Sequence, residues 1–403
     1  MSKKNLAAKL KPAAEKAVKQ RHPWIWDSGI DKISPGGSCG DPVIIFDKRK
    51  NKFLAFGLYD PDSPIAIKVL SVGTSMRLDQ EWFTDMLQKA HDHRAPLLLT
   101  DTNSYRWVYG ENDGLPSLII DVYDEVAVIK LYSLIWEDYL DLIIAGITEV
   151  ISPKAIVLRL SRLTAEKTKD KALHFDGSLV YGHLPNTEVI FTEYGLKFAA
   201  DVVSGHKTGY FLDHRHNRYQ VSKISKGKRV LDIFSYAGGF SVHALAGGAK
   251  EVTSLDISKQ ALAMADQNVK LNRLNARHKT MAMDAFQAME KLYNDGRKFE
   301  LIVVDPPSFA KKASETDRAL KSYKRLTRYA SRLVTEQGIL VMASCSSRVS
   351  ADQFFNAVEE TLRDDDIQFE VIQKSTHDID HPIKIPEAAY LKCGYYKVSN
   401  VPD

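Results

Sequence analysis

From about residue 191 the chain alternates short apolar strand segments with helical ones, and this alternation constrains the fold more than any other feature. The expected strands are Arg229–Phe234, Glu251–Asp256, Lys279–Met283, Glu300–Asp305 and Gly338–Ala343, then Gln368–Gln373 and Gly394–Val398. Helical segments separate most of them, which is α/β spacing. The last two lie close to the end of the chain. The pattern predicts a seven-stranded, mostly parallel sheet with an antiparallel edge. In an open α/β sheet, ligands sit at the carboxyl ends of the strands.

The preceding residues follow other rhythms. Residues 1–75 read as a small β-rich module. Its apolar runs Pro42–Phe46, Phe53–Leu58 and Ile65–Leu70 alternate with turn signals at Ser34-Pro35-Gly36-Gly37 and Asp60-Pro61-Asp62-Ser63-Pro64. Residues 76–190 read as a central α+β domain. Helices are expected at Leu78–His91 and Tyr139–Ile151, strands at Tyr105–Gly110, Leu118–Val122, Val126–Tyr132 and Ala155–Leu160, and a polar loop at residues 167–171. Residues 191–403 form the α/β domain.

A chain of 403 residues with 44% hydrophobic content has material for two or three cores. Its three cysteines, Cys39, Cys345 and Cys393, are too scattered for a disulfide framework or a zinc site, and no metal is expected. A reducing cytoplasm fits this usage. The basic N-terminus has no apolar stretch behind it, so it is not read as a secretory signal. No run approaches the ~18 apolar residues of a membrane span. The net charge of +4 permits a nucleic-acid partner, and local basic clusters must carry that argument.

The segment from Val230 to Ser241 reads as a strand, a glycine turn at Gly238-Gly239 and a helix start. Glycines let the backbone approach a ligand, and a helix N-terminus offers free N–H groups to an anionic group. The G-x-G-x-x-G fingerprint of dinucleotide sites is absent. One glycine pair is weak, and a lone Asp after a strand is usually a cap. Four acids, Asp232, Asp256, Asp284 and Asp305, nevertheless fall at four successive strand ends. Asp256 is placed to accept from both ribose hydroxyls, and Asp284 from an adenine amino group. Together with Phe234 and Ser235 in the turn, they point to S-adenosylmethionine. Gly205-His206-Lys207-Thr208-Gly209-Tyr210-Phe211-Leu212-Asp213-His214-Arg215 reads equally as a loop with a helix cap or as a lid over the methionine end of the cofactor, with Lys207 near the carboxylate and Tyr210 as a further cofactor contact.

Cys345 follows the apolar run Leu340–Ala343, 40 residues after Asp305-Pro306-Pro307-Ser308-Phe309. A thiol at a strand end is ordinarily a small buried residue. Beside a carboxylate and an adenosine-type site it suggests methyl transfer to carbon 5 of a pyrimidine. That chemistry needs a thiolate to add at carbon 6. Asp305 would hold N3 or the exocyclic amine. Pro306 and Pro307 fix an extended loop, and Phe309 is placed to stack on a base that has left its stack. Lys311, Lys312 and a helical stripe of Arg318, Lys321, Arg325, Arg328 and Arg332 are candidate phosphate contacts. Arg21, His22, Trp24 and Trp26 are candidate RNA contacts, with a buried Trp pair as the alternative.

These motifs, with His381-Pro382 and Tyr390-Leu391-Lys392, resemble the ribosomal RNA large-subunit methyltransferase I family over nearly the whole chain. The Arg21-His22-Pro23-Trp24 opening resembles the start of that family's PUA domain. The resemblance implies a PUA-like RNA-binding domain, a central α+β domain and a C-terminal class I (Rossmann-like) methyltransferase domain. It implies S-adenosylmethionine as cofactor, 5-methylcytosine in 23S rRNA as product, Cys345 as nucleophile and Asp305 as the base-binding acid. It implies that Asp256 and Asp284 hold ribose and adenine. Ser308 departs from the lysine many members carry there. The expected substrate is 23S rRNA or the assembling large subunit, and a homodimer is compatible. An rRNA guanine-N methyltransferase of similar architecture, or a non-catalytic RNA-binding assembly factor, are the competing readings.

Overall fold

A computed structural model describes residues 3–168, 175–274 and 277–401 of the chain. The chain divides into two compact units. The first comprises Met1–Phe191, Ala200–Phe211 and Ile379–Ile385, and the second Thr192–Ala199, Leu212–Asp378 and Pro386–Asp403.

The first unit carries two sheets. The N-terminal one has six strands, in the spatial order Trp24–Ile25, Ile67–Val72, Phe53–Tyr59, Pro42–Phe46, Leu6–Leu10 and Ile30–Ile33. Leu6–Leu10 and Pro42–Phe46 pair in parallel, and the other neighbours are antiparallel. Its core follows from period-two alternation: Leu6, Ala8 and Leu10 turn inward with Val43 and Ile45. The second sheet orders Ser178–Gly182, Ala155–Leu160, Val126–Leu131, Leu118–Tyr123 and Ser104–Tyr109. Helices Gln80–Leu98 and Leu140–Ile151 cover it, burying Phe83, Leu87, Ile143 and Ile147.

The first of these helices runs past the expected end at His91. Arg94 and Leu97 are both buried in the extra turns, and the Arg94 guanidinium grips Asp113 at 2.7 and 2.9 Å. Pro96 then stops the helix within a turn. Of the expected polar loop, Lys167 and Thr168 end a helix, Arg162–Thr168, and residues 169–171 lie outside the described residues.

The second unit holds a seven-stranded sheet: β1 (Arg229–Ile233), β2 (Glu251–Asp256), β3 (His278–Ala282), β4 (Phe299–Val304), β5 (Val334–Ser344), β6 (Gln368–Ser375) and β7 (Lys392–Ser399). The spatial order is β3-β2-β1-β4-β5-β7-β6. The first five are parallel, and β7 runs antiparallel between β5 and β6. Strand order reverses between β1 and β4, so the crevice beyond their carboxyl ends is the expected ligand position. Helices cover both faces, as buried apolar strands such as Leu301–Val304 require. No helix among the described residues is long and apolar enough to cross a membrane.

Candidate active site

The β1 strand delivers the chain into an unusual turn. Phe234, Tyr236 and Gly238 all adopt left-handed backbone conformations, with φ of 65°, 47° and 73°. Strain of this kind persists where surrounding contacts dictate it. Here Ser235 N–H donates to the Leu255 carbonyl (3.1 Å) and Tyr236 N–H to Asp256 Oδ2 (3.0 Å). Gly238 is required twice over, because a Cβ there would stand 2.8 Å from the Ala265 Cβ. Gly239 then opens the helix Gly239–Ala246.

The four acids differ in setting. Asp232 sits one residue before the end of β1 and is almost fully buried. Its Oδ2 accepts from Ser241 Oγ at 2.7 Å, while Oδ1 has no partner among the described residues. Burial, reinforced by Asp305 and Asp256, pushes its carboxyl up to about 7. Asp256 ends β2 and accepts from the backbone N–H groups of Tyr236 and Ser258, which leaves carboxylate lone pairs for further donors. Asp284 lies two residues beyond β3 and caps the helix Ala285–Asn294 through the N–H groups of Phe286 and Gln287. The cap and a ligand contact are compatible, since only Oδ1 is engaged.

Asp305 follows β4, half-buried, with its N–H on the Ile233 carbonyl (3.3 Å). Among the described residues His214 Nε2 has no partner in hydrogen-bond geometry, and it stands 3.3 Å from Asp305 Oδ1. The proton on His214 can be placed from its neighbours. Asn217 Oδ1 accepts from Ser375 Oγ (2.5 Å) and Tyr395 Oη (3.1 Å). Its Nδ2 therefore faces His214 Nδ1 (3.1 Å), which must accept. The neutral ring then carries its proton on Nε2, toward Asp305.

Cys345 follows the last residue of β5, half-buried, with Sγ 3.9 Å from the Pro306 carbonyl oxygen. The two loops are tied by Ser346. Its hydroxyl contacts Ser308 Oγ (3.1 Å), the Phe309 N–H (3.2 Å) and Tyr323 Oη (3.0 Å). Tyr323 also reaches Ser344 Oγ (2.8 Å), and its ring meets Phe309 edge-on. Pro306 is buried and Pro307 exposed. Of the other cysteines, burial pushes the Cys39 thiol up to about 12 and Cys393 higher still.

Beyond this loop, Lys311 and Lys312 are exposed, and their backbone N–H groups rest on Glu315. The basic stripe lies on the helix Thr316–Ser331 but is not uniform. Arg318, Lys321 and Arg332 are exposed, Arg328 is held by Asp365, and Arg325 stacks on Phe286 at 3.9 Å. Lys207 and Tyr210 belong to the first unit, where the Lys207 ammonium lies over the Phe211 ring at 4.2 Å and Tyr210 is buried. Arg21 is in the same unit and exposed, with a left-handed backbone. The two tryptophans there do not form a buried pair. Trp26 is half exposed, and Trp24 donates Nε1–H to Glu111.

Sequence reasoning assigned no role to Ser346, Tyr323, His214, Asn217 or Lys392. Lys392 stands inside the quoted Tyr390-Leu391-Lys392, His214 inside residues 205–215, and Ser346 directly follows Cys345. Tyr323 and Asn217 are positioned by helices and carry no local signal.

The crevice fits the adenosine cofactor by its unmet polar atoms. Asp232 Oδ1 and Ser235 Oγ are both buried without partners among the described residues, beside the strained turn and the Asp256 carboxylate. An acceptor such as Asp232 suits a cationic amino group, and Asp256 suits vicinal hydroxyls.

Comparison with known proteins agrees. A family model for S-adenosylmethionine-dependent methyltransferases matches residues 179–394, and one for PUA-like domains matches residues 8–72. A protein of Deinococcus radiodurans named ribosomal RNA large subunit methyltransferase is 40% identical, covering 98% of this chain and 97% of its own. Ribosomal RNA large subunit methyltransferase I of Tolumonas auensis is 36% identical, over 94% and 96% of the two chains. Among solved structures, a Streptococcus mutans protein described as a SAM-dependent methyltransferase superposes with a TM-score of 0.81 at 21% identity, over 97% of this chain and 99% of that one, which shows a shared fold. The chain is therefore a member of the ribosomal RNA large-subunit methyltransferase I family of S-adenosylmethionine-dependent methyltransferases, with a PUA-like N-terminal domain.

Proposed function

We propose that this protein methylates carbon 5 of a cytosine in 23S ribosomal RNA, through a covalent adduct between Cys345 and carbon 6 of the base. The observation that carries the reading is the juxtaposition of the Cys345 thiol with the Asp305-Pro306-Pro307 loop at the carboxyl ends of adjacent strands. Carbon 5 of cytosine is a poor nucleophile, and thiolate addition at carbon 6 makes it an enamine carbon. The names of the relatives support ribosomal RNA as the substrate.

S-adenosylmethionine supplies an electrophilic methyl group, its sulfur keeping the bonding pair. The remaining work falls to this chain. Asp256 holds the ribose hydroxyls, Asp284 the adenine amine, and Asp232 with Ser235 and the turn around Phe234, Gly238 and Gly239 the amino-acid end. Asp305 accepts from the exocyclic amine of the base, with the His214 Nε2–H edge 3.3 Å from its Oδ1. Phe309 borders the base, and Pro306 and Pro307 keep the loop extended. Lys311, Lys312 and Arg325, with Arg21 in the PUA-like domain, bind RNA phosphates. The base enters unstacked. The parts are read as residues 1–75, 76–190 and 191–403.

The test is product analysis. Large-subunit rRNA lacking the modification is incubated with protein and cofactor, then digested to nucleosides. The reading requires 5-methylcytidine from the wild type and none from Cys345→Ala. A methylated guanine that persists in the variant would overturn it.

A further inference from the structure

Lys392 has no part in the reading so far. It begins β7, in register with Ser344 at the end of β5, one residue before Cys345. It is 2% exposed. Its Nζ donates to the carbonyl oxygens of Ser346 and Val349, both at 2.7 Å. No carboxylate pairs with it among the described residues, and the Cys345 sulfur is the acidic group whose charge acts on it. A buried ammonium satisfied only by carbonyl oxygens keeps its charge at a cost, unless an anion forms nearby. Burial pushes it down to about 8, and the Cys345 thiolate works against that shift.

Among the described residues, Lys392, Asp305 and Tyr323 are titratable side chains near the thiol. Lys392 comes from β7, its Nζ held on the Ser346 carbonyl next to Cys345. Asp305 lies at the end of β4, one residue before the carbonyl that the thiol faces. Tyr323, on the helix Thr316–Ser331, feels both Cys345 and Asp305 and is pushed up to about 12 by burial, so it stays neutral. Of these three, Asp305 opposes a thiolate and Lys392 favours one.

We propose that the Lys392 ammonium is the counter-cation of the Cys345 thiolate, and that its two carbonyl contacts fix the loop from Cys345 to Val349 around that charge. It is a positioning residue, and the inference rests on Cys345 being the nucleophile. In the forward step a sulfur lone pair forms the S–C6 bond, and the C5=C6 pair moves to C5, where it forms the new bond to the methyl group. In the last step the proton on C5 leaves to water, its bonding pair rebuilds C5=C6, and the S–C6 pair departs with sulfur. Lys392 neither gains nor loses a proton. It stabilises sulfur as attacking and as leaving group, which serves turnover in a loop carrying Ser308 and no second thiol.

The test needs neither RNA nor cofactor. Intact protein is alkylated with iodoacetamide across pH 5–10, and the rate at each cysteine is read by peptide mass spectrometry. In the wild type, the Cys345 midpoint should fall at least one unit below the ~8.5 of a free thiol. Lys392→Met should raise it by about one unit or more, slowing alkylation at pH 7 roughly tenfold. Lys392→Arg should restore a low midpoint. A wild-type midpoint at or above the free-thiol value overturns the proposal even if Lys392→Met does not fold, and so does an unchanged midpoint in a folded Lys392→Met. A low, Lys392-dependent midpoint in a protein that forms no 5-methylcytidine would uphold the ion pair and sink the cytosine reading, so the two failures are distinguishable.

Discussion

Cys345 Sγ lies 3.9 Å from the carbonyl oxygen of Pro306, so the thiol that follows β5 faces the proline loop that follows β4. Parallel pairing of the two strands, with Val304 opposite Met342, brings their ends level. Ser346 then locks the loops together through Ser308, Phe309 and Tyr323.

Removing that lock should cost rate more than binding. Ser346→Ala deletes three hydrogen bonds without touching the cofactor crevice. We expect kcat to fall about 10- to 100-fold, as small misplacements of reacting groups do, with the cofactor Kd within about twofold of wild type. Steady-state kinetics and calorimetry on one preparation check this. A fall in cofactor affinity alone would show that the lock serves another purpose.

Asp256→Ala should act the other way. Losing charged hydrogen bonds to the ribose is worth ~1.5–3 kcal/mol, or about 10- to 100-fold in Kd. Calorimetry with S-adenosylmethionine reads it directly, and an unchanged Kd would remove Asp256 from the cofactor site.

Much of this arrangement was legible in the sequence. All seven strands of the second unit were placed to within a few residues; β1, β2, β4 and β5 stood out as buried apolar runs, and the exposed β3 and β6 followed from the α/β spacing. Strand order needed the pairings, as did the register that brings Lys392 opposite Ser344. Asp232 and Asp256 looked alike as strand-end acids. Burial separates them, and burial depends on Ser241 and Ser254 from neighbouring elements. The His214–Asn217 relay depends on Ser375 and Tyr395, distant in sequence. The extra turns of the helix Gln80–Leu98 depend on Asp113.

Asp232 makes stability and function pull apart. Its carboxyl is raised to about 7 in the folded chain from 3.8 unfolded. The stability it contributes is thus fully present below pH 3.8 and is lost as pH rises through about 7. Asp232→Asn should therefore stabilise the free protein at pH 8 by ~1–3 kcal/mol, less than the full shift at 1.36 kcal/mol per unit, and change little near pH 4. It should also weaken cofactor binding. Urea unfolding at the two pH values tests the sign, and an equal difference at both would contradict it.

The buried cluster Glu193, Arg218 and His243 behaves oppositely. Burial alone would raise the Glu193 carboxyl, but the Arg218 guanidinium at 2.6 and 2.7 Å and His243 at 2.9 Å hold it down at about 2. Its stabilisation is present above pH 4.5 and disappears as pH falls toward about 2. Arg218→Leu leaves the buried carboxylate with His243 but without its cationic partner and should cost ~3–5 kcal/mol at pH 7. Denaturation across pH 3–7 should show the gap narrowing in acid.

Covalent trapping addresses the central claim most directly. The protein is mixed with S-adenosylmethionine and 23S rRNA carrying 5-fluorocytosine, then run on a denaturing gel beside Cys345→Ala. Fluorine at carbon 5 blocks the final elimination, so the account predicts a shifted protein–RNA band that the variant lacks. The absence of any shifted band, with methyl transfer to ordinary rRNA intact, would contradict the cysteine mechanism.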